Sequence, residues 1–135
     1  MTLAALRNSA WAEDPRNFLR YTAACTAMHC ADGKGADPTP VAERPALRKQ
    51  ALDLMTADLA AIRKFAATDR AFAHEALDHR LVDEDFASVR DPKAIGQLPP
   101  TEREAWSKLW AEVRELRDRR CGLPLRFTAS APRRT

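Results

Sequence analysis

Apolar positions recur along this chain with the period of an α-helix, and runs of strict apolar–polar alternation do not occur. Phe18, Tyr21, Ala24, Cys25 and Met28 form a first stripe, bounded by clear end signals. Asp14 can cap, Pro15 suits the first helical position because that N–H has no partner to lose, and Gly33 fits just past the end. After the Gly- and Pro-rich "GKGADPTPVAERP" comes the longest periodic run, "ALRKQALDLMTADLAAIRKFAA". Leu47, Ala51, Met55, Leu59, Ile62 and Ala66 line one side of it, with Leu54 and Phe65 flanking, so it is predicted to be the central helix. Thr68 or Asp69 then caps a third helix, through about His79, that buries Phe72, Ala76 and Leu77.

"LVDEDFASVRDP" interrupts the period and predicts an irregular connector anchored by Phe86 and Val89. Asp91–Pro92 restarts a short turn containing Ile95. The last helix carries the fullest signature: Thr101 and Glu104 have capping-box spacing, and Trp106, Leu109, Trp110, Val113 and Leu116 follow on one stripe. Glu104–Lys108 and Glu115–Arg119 add i, i+4 pairs, and Gly122 stops the helix. The fold class is therefore all-α, a small bundle of about four helices with irregular connectors. One helical domain is expected over residues 1–120 and a basic, flexible tail over residues 121–135. Leu54, Met55, Leu59, Ile62, Trp106, Leu109, Trp110 and Val113 are the expected core. The two tryptophans belong to this stripe rather than to a ligand site, and their burial is worth several kcal/mol.

Composition supports this picture. The chain has 135 residues, 45% apolar and 30% charged, the balance of an ordinary globular domain. No stretch reaches the ~18 consecutive apolar residues of a membrane span, and "MTLAALRNSAW" lacks a basic region and a long enough apolar run for a signal peptide. The expected location is cytoplasmic. Three cysteines do not suggest a disulfide framework, and Cys25 and Cys30, about 7.5 Å apart along one helix, are too far apart to join. Charge is uneven: residues 1–113 carry 15 Lys/Arg against 17 Asp/Glu, whereas residues 114–135 carry seven Arg against Glu115 and Asp118. This cluster closes a helix, where cations suit the dipole, and runs on into a tail without the interleaved base readers of a nucleic-acid face.

No catalytic, cofactor or metal constellation is expected. In "HEALDH" the histidines His74 and His79 are five apart, about 140° around a helix, where a zinc-protease motif needs four. Cys25 and His29 could face one way, with Cys30 adjacent, but a structural zinc needs four ligands and no second pair lies nearby in sequence. "DGKGAD" lacks the Ser/Thr and the strand–helix context of a phosphate loop, and "DEDF" lacks calcium-loop spacing. None of the serines Ser9, Ser88, Ser107 and Ser130 sits in a Gly-flanked nucleophile turn.

Three segments carry a family resemblance. "WAEDPRNFLRYTAACTAMHCADGKGAD" resembles the first helix and loop of a tetratricopeptide-like unit of large bacterial multidomain proteins. "LRKQALDLMTADLAA" resembles the long helix that follows there, and "DEDFASVRDPKAIGQLPPTEREAWSKLWAEV" the block that closes those chains. The likeness runs in order from Trp11 to Arg119. In such proteins the region lies near the C-terminal end, after helical repeats, and many of them begin with a serine/threonine kinase domain. The resemblance implies a tetratricopeptide-like helical hairpin over residues 14–67 and a closing helical block over residues 68–120. It does not carry over kinase activity: "HRL" at His79–Leu81 and "DFA" at Asp85–Ala87 lack the catalytic Asp and the Gly of the kinase motifs.

Tetratricopeptide units stack, and about three bury a continuous core. This chain holds one helical pair and its closing block. The face of Phe18, Tyr21 and Met28 is then either covered by "LAALRNSAW" or open to a partner. The expected function is a non-enzymatic protein–protein interaction or scaffold module resembling the end-cap of a tetratricopeptide array. A protein partner or self-association is expected, with no membrane, no cofactor and no nucleic-acid partner. The alternatives are a separately encoded or truncated regulatory tail of a bacterial serine/threonine kinase, and weak nucleic-acid binding through the basic C-terminal end.

Overall fold

The computed structural model describes residues 14–119. The segment "LAALRNSAW", Trp11, Cys121 and the basic tail over residues 121–135 lie outside the described residues. Within them the protein is all-helical, with no strand and six α-helices rather than about four. These are α1 (Leu19–Ala31), α2 (Arg44–Phe65), α3 (Arg70–Val82), α4 (Ala87–Arg90), α5 (Pro92–Ile95) and α6 (Pro100–Asp118). The two additional helices, α4 and α5, are single turns inside the connector.

The start of the first helix departs from the sequence expectation. The Asp14 carboxylate does accept a backbone bond, from the N–H of Arg16 at 3.0 Å, but what it caps is a 3-10 turn, Pro15–Asn17. Phe18 then adopts the left-handed region, φ 56°, and α1 begins only at Leu19. A left-handed non-glycine residue costs about 1–2 kcal/mol. Ring contacts across the chain offset it: Phe18 packs on Phe72 at 6.3 Å, and the Arg16 guanidinium lies over Phe65 at 4.9 Å. At the other end Gly33 sits just past the helix with φ 73°. The N–H groups of Gly33 and Lys34 donate to the carbonyls of Cys30 and His29, which closes the helix in a Schellman arrangement. A Cβ on Gly33 would come within 2.7 Å of the Arg44 guanidinium, the flexible end of a side chain that can move aside, so it is the positive φ that calls for glycine there.

α1 packs along α2, whose inward residues Ala51, Leu54, Met55, Leu59 and Ile62 are buried. Asp69, of the two candidate caps, accepts from the N–H of Phe72 at 3.0 Å, and α3 continues three residues past His79 to Val82. In the connector the Asp83 carboxylate caps the turn Glu84–Phe86, and the side chains of Phe86 and Val89 are completely buried.

α6 corrects the expected capping box. The helix starts at Pro100, with Pro99 as its N-cap and no side-chain cap bond, so Thr101 lies inside the first turn. Pro100 has φ already set for a helix and no N–H to satisfy, which moves the start ahead of the threonine. Glu102 of that turn pairs instead with Arg48 of α2 through two bonds, 2.6 and 3.0 Å. Farther along, Trp106, Leu109, Trp110, Val113 and Leu116 are all buried. The two indoles lie 6.1 Å apart, nearly parallel, and Phe86 touches both. Trp110 Nε1 donates to the Val89 carbonyl at 2.9 Å, tying the connector to α6.

Candidate docking groove

The structure separates the three residues of the expected partner face. Met28 is fully buried and Tyr21 is 7% exposed, both within the core, whereas Phe18 is 44% exposed. The reason lies far away in sequence. Phe86 stacks on the Tyr21 ring at 6.0 Å, the Arg80 guanidinium lies 4.0 Å from its centre, and His79 meets its edge. The face as a whole is therefore not free, and Phe18 alone of the three is exposed, in part.

Phe18 stands on the rim of a groove of about 530 Å³ between α1 and α3. Phe18, Tyr21 and Thr22 line it from the α1 side, and Phe72, Glu75, Ala76, His79 and Arg80 from α3. One end is aromatic, since Phe72 touches Phe18 and also meets Phe65 edge-on at 5.3 Å. Polar groups at its margin are the Thr22 hydroxyl, the Glu75 carboxylate and the His79 imidazole.

Arg80 belongs to the core as much as to the groove. Its Nε and Nη2 donate to the Asp58 carboxylate at 2.7 and 3.3 Å, and Nη1 donates to the Ala76 carbonyl at 2.8 Å. Both side chains are buried, as is Arg20. Burial pushes the Asp58 carboxyl above the usual carboxylate range, and the charges of Arg80 and Arg20 oppose that shift. Sequence reasoning did not single out this pair. The signal was an Asp at helical spacing from Leu54, Met55 and Ile62, inside an apolar stripe.

At the far end of α3, Asp83 collects several contacts. It accepts from the Tyr21 hydroxyl and the Asp85 N–H, lies 3.5 Å from His79 Nε2, and approaches Cys25 Sγ at 4.0 Å. Cys25, Asp83 and Asp85 come together closely enough to offer one thiol and two carboxylates to a cation. Burial, helped by the charges of Asp83 and Asp85, raises the Cys25 thiol from 9.0 to about 12. Burial and the bond to Asp83 also raise the Tyr21 hydroxyl. The Asp83 carboxylate of this trio already serves as helix-turn cap and tyrosine acceptor.

Both raised groups hold their protons in the folded chain where the unfolded chain releases them. The stability linked to Cys25 is complete below about pH 9 and is lost as pH rises toward 12, and that linked to Tyr21 begins to fall only above about pH 10. The midpoint of urea unfolding should therefore fall above pH 9, and less steeply in a Tyr21→Phe, Cys25→Ala double variant. An identical alkaline slope in both proteins would contradict this assignment.

The remaining motifs have structural partners. His74 and His79 each approach the Asp four residues on, Asp78 and Asp83, so they point to separate carboxylates. In "DGKGAD" the Asp32 carboxylate accepts from the Ser88 hydroxyl at 2.8 Å. Cys25 and Cys30 are free thiols. Among the described residues no helix is long and apolar enough to cross a membrane. Comparison with protein-family models, curated proteins and solved structures finds no match for this chain.

Proposed function

We propose that this chain is a non-enzymatic helical interaction module, of the kind that closes a tetratricopeptide-like array, and that it docks a protein segment in the groove between α1 and α3. The observation that carries the reading is Phe18: a large aromatic side chain, 44% exposed, held at the groove rim by a costly left-handed backbone. Unfavourable backbone conformations of this type concentrate at functional positions. The consecutive packing of α1 along α2 supports the tetratricopeptide-like hairpin, which is a helix–turn–helix unit. The partner that fits carries a bulky apolar anchor for the Phe18–Phe72 end and a basic residue for Glu75. Such anchors supply most of an interface's binding energy.

The test is retention of a partner from native lysate by the full chain and by two groove variants, Phe18→Asp and Phe72→Asp. Retention of a discrete partner should fall about tenfold or more, since an anchor residue is worth about 2 kcal/mol. Phe18→Asp should lower the unfolding midpoint only modestly, because the side chain is 44% exposed and Asp tolerates the left-handed backbone better than Phe, although the contact with Phe72 is lost. Equal retention by both variants and the parent would remove the groove from the interaction.

A further inference from the structure

At the far end of α3 from Phe72, metal-binding side chains from three elements meet. Cys25 comes from α1, His79 from α3, and Asp83 and Asp85 from the turn that follows α3. Cys25 Sγ and one oxygen of each carboxylate all lie within 4.8 Å of one another. Sγ is 4.0 Å from Asp83 Oδ2, and His79 Nε2 approaches the same oxygen at 3.5 Å. Donors bound to one tetrahedral zinc at about 2.0–2.3 Å stand about 3.3–3.8 Å apart, so the trio needs to close by about 1 Å. The His79 side chain is exposed and can turn toward it. The donors that the sequence near Cys25 lacks are thus supplied by the fold, from 58 residues away in the case of Asp83.

Charge points the same way. The trio is half-buried, and among the described residues no lysine or arginine pairs with either carboxylate. Arg80 is engaged by Asp58, and Arg90 by the Asp83 carbonyl and by Asp91. The donors are also held from behind. Asp83 Oδ1 accepts the Asp85 N–H at 2.9 Å and Oδ2 accepts the Tyr21 hydroxyl, outer bonds of the kind that orient ligating carboxylates. A thiol, an imidazole and two carboxylates suit a borderline ion such as Zn2+ rather than Ca2+ or Mg2+, which take oxygen ligands.

We propose that Cys25, Asp83 and Asp85, with His79 as fourth donor, bind one Zn2+ that clasps α1 to the turn after α3. Binding deprotonates the Cys25 thiol and releases its proton to water. Because the site exists only in the folded chain, the ion also stabilises the fold. The site does not rest on the docking reading above.

The test uses the full chain carrying Cys30→Ser and Cys121→Ser, in which Cys25 is the one thiol left. Co2+ serves as the probe, since its absorbance reports a bound thiolate, and Zn2+ then competes for the site. The expected result is a thiolate-to-cobalt band that one equivalent of Zn2+ abolishes, with a higher urea midpoint in Zn2+ than in chelator. Asp85→Asn in this background should weaken Zn2+ at least about tenfold, the loss that outer partners alone already cause. Cys25→Ser should abolish both the band and the midpoint shift, with tryptophan fluorescence reporting that the fold is kept. Asp85→Asn leaves α1 untouched and decides the matter should Cys25→Ser unfold. No thiolate band in the single-thiol chain, equal Zn2+ affinity in Asp85→Asn, or an equal midpoint shift in a folded Cys25→Ser chain would overturn the proposal.

Discussion

Asp58→Ala is expected to cost about 3–5 kcal/mol of folding stability, because it leaves the Arg80 guanidinium buried without its counter-charge. Few single changes should do more to this chain, since domains of this size hold about 5–15 kcal/mol in total. Arg20 adds to the cost, being a second buried cation whose field reaches Asp58. The double variant Asp58→Leu, Arg80→Met removes both charges of the pair, and apolar replacement of a buried pair is often neutral. It should therefore be more stable than Asp58→Ala alone, although the bond to the Ala76 carbonyl and the Tyr21 ring contact are lost with Arg80. Urea unfolding of the three proteins checks this. A single-variant loss under about 1 kcal/mol would mean that water reaches the pair, since exposed ion pairs are worth that little.

Trp110→Ala is the second large effect, again about 3–5 kcal/mol. The indole packs against Trp106 and Phe86, and its N–H satisfies the buried Val89 carbonyl. Trp110→Phe separates the two contributions. It keeps a ring in place but orphans the carbonyl, at about 1–3 kcal/mol. Both losses should appear in the denaturation midpoint. Should Trp110→Phe prove neutral, the connector would not depend on α6 through this bond.

What could be read from the sequence follows from which interactions are local. The α6 stripe from Trp106 to Leu116, the Asp69 cap and the Gly33 stop are set by neighbours within a turn or two, so spacing displays them. The break at Phe18 is not local. It depends on Phe72 and Phe65, some fifty residues away, and helical propensity alone runs straight through it. The misplaced start of α6 is a competition between two local signals, in which Pro100 prevailed over the Thr101–Glu104 spacing. Tyr21 and Met28 showed an amphipathic stripe correctly, but periodicity cannot say which stripe residues a distant element will cover. Phe86 and Arg80 cover Tyr21, and what remains open is the rim at Phe18. The groove itself exists only because side chains of α1 and α3, some fifty residues apart in sequence, line one space.

The most direct test of the docking reading is a photocrosslinking amino acid at Thr22, an exposed residue lining the groove, with Ala111 on the exposed side of α6 as control. In native lysate the Thr22 probe should give one discrete adduct with a second protein, through a peptide bearing an apolar anchor and a basic residue, and the Ala111 probe should not. Adducts of equal yield and diversity at the two positions, or none at Thr22, would contradict a docking groove between α1 and α3.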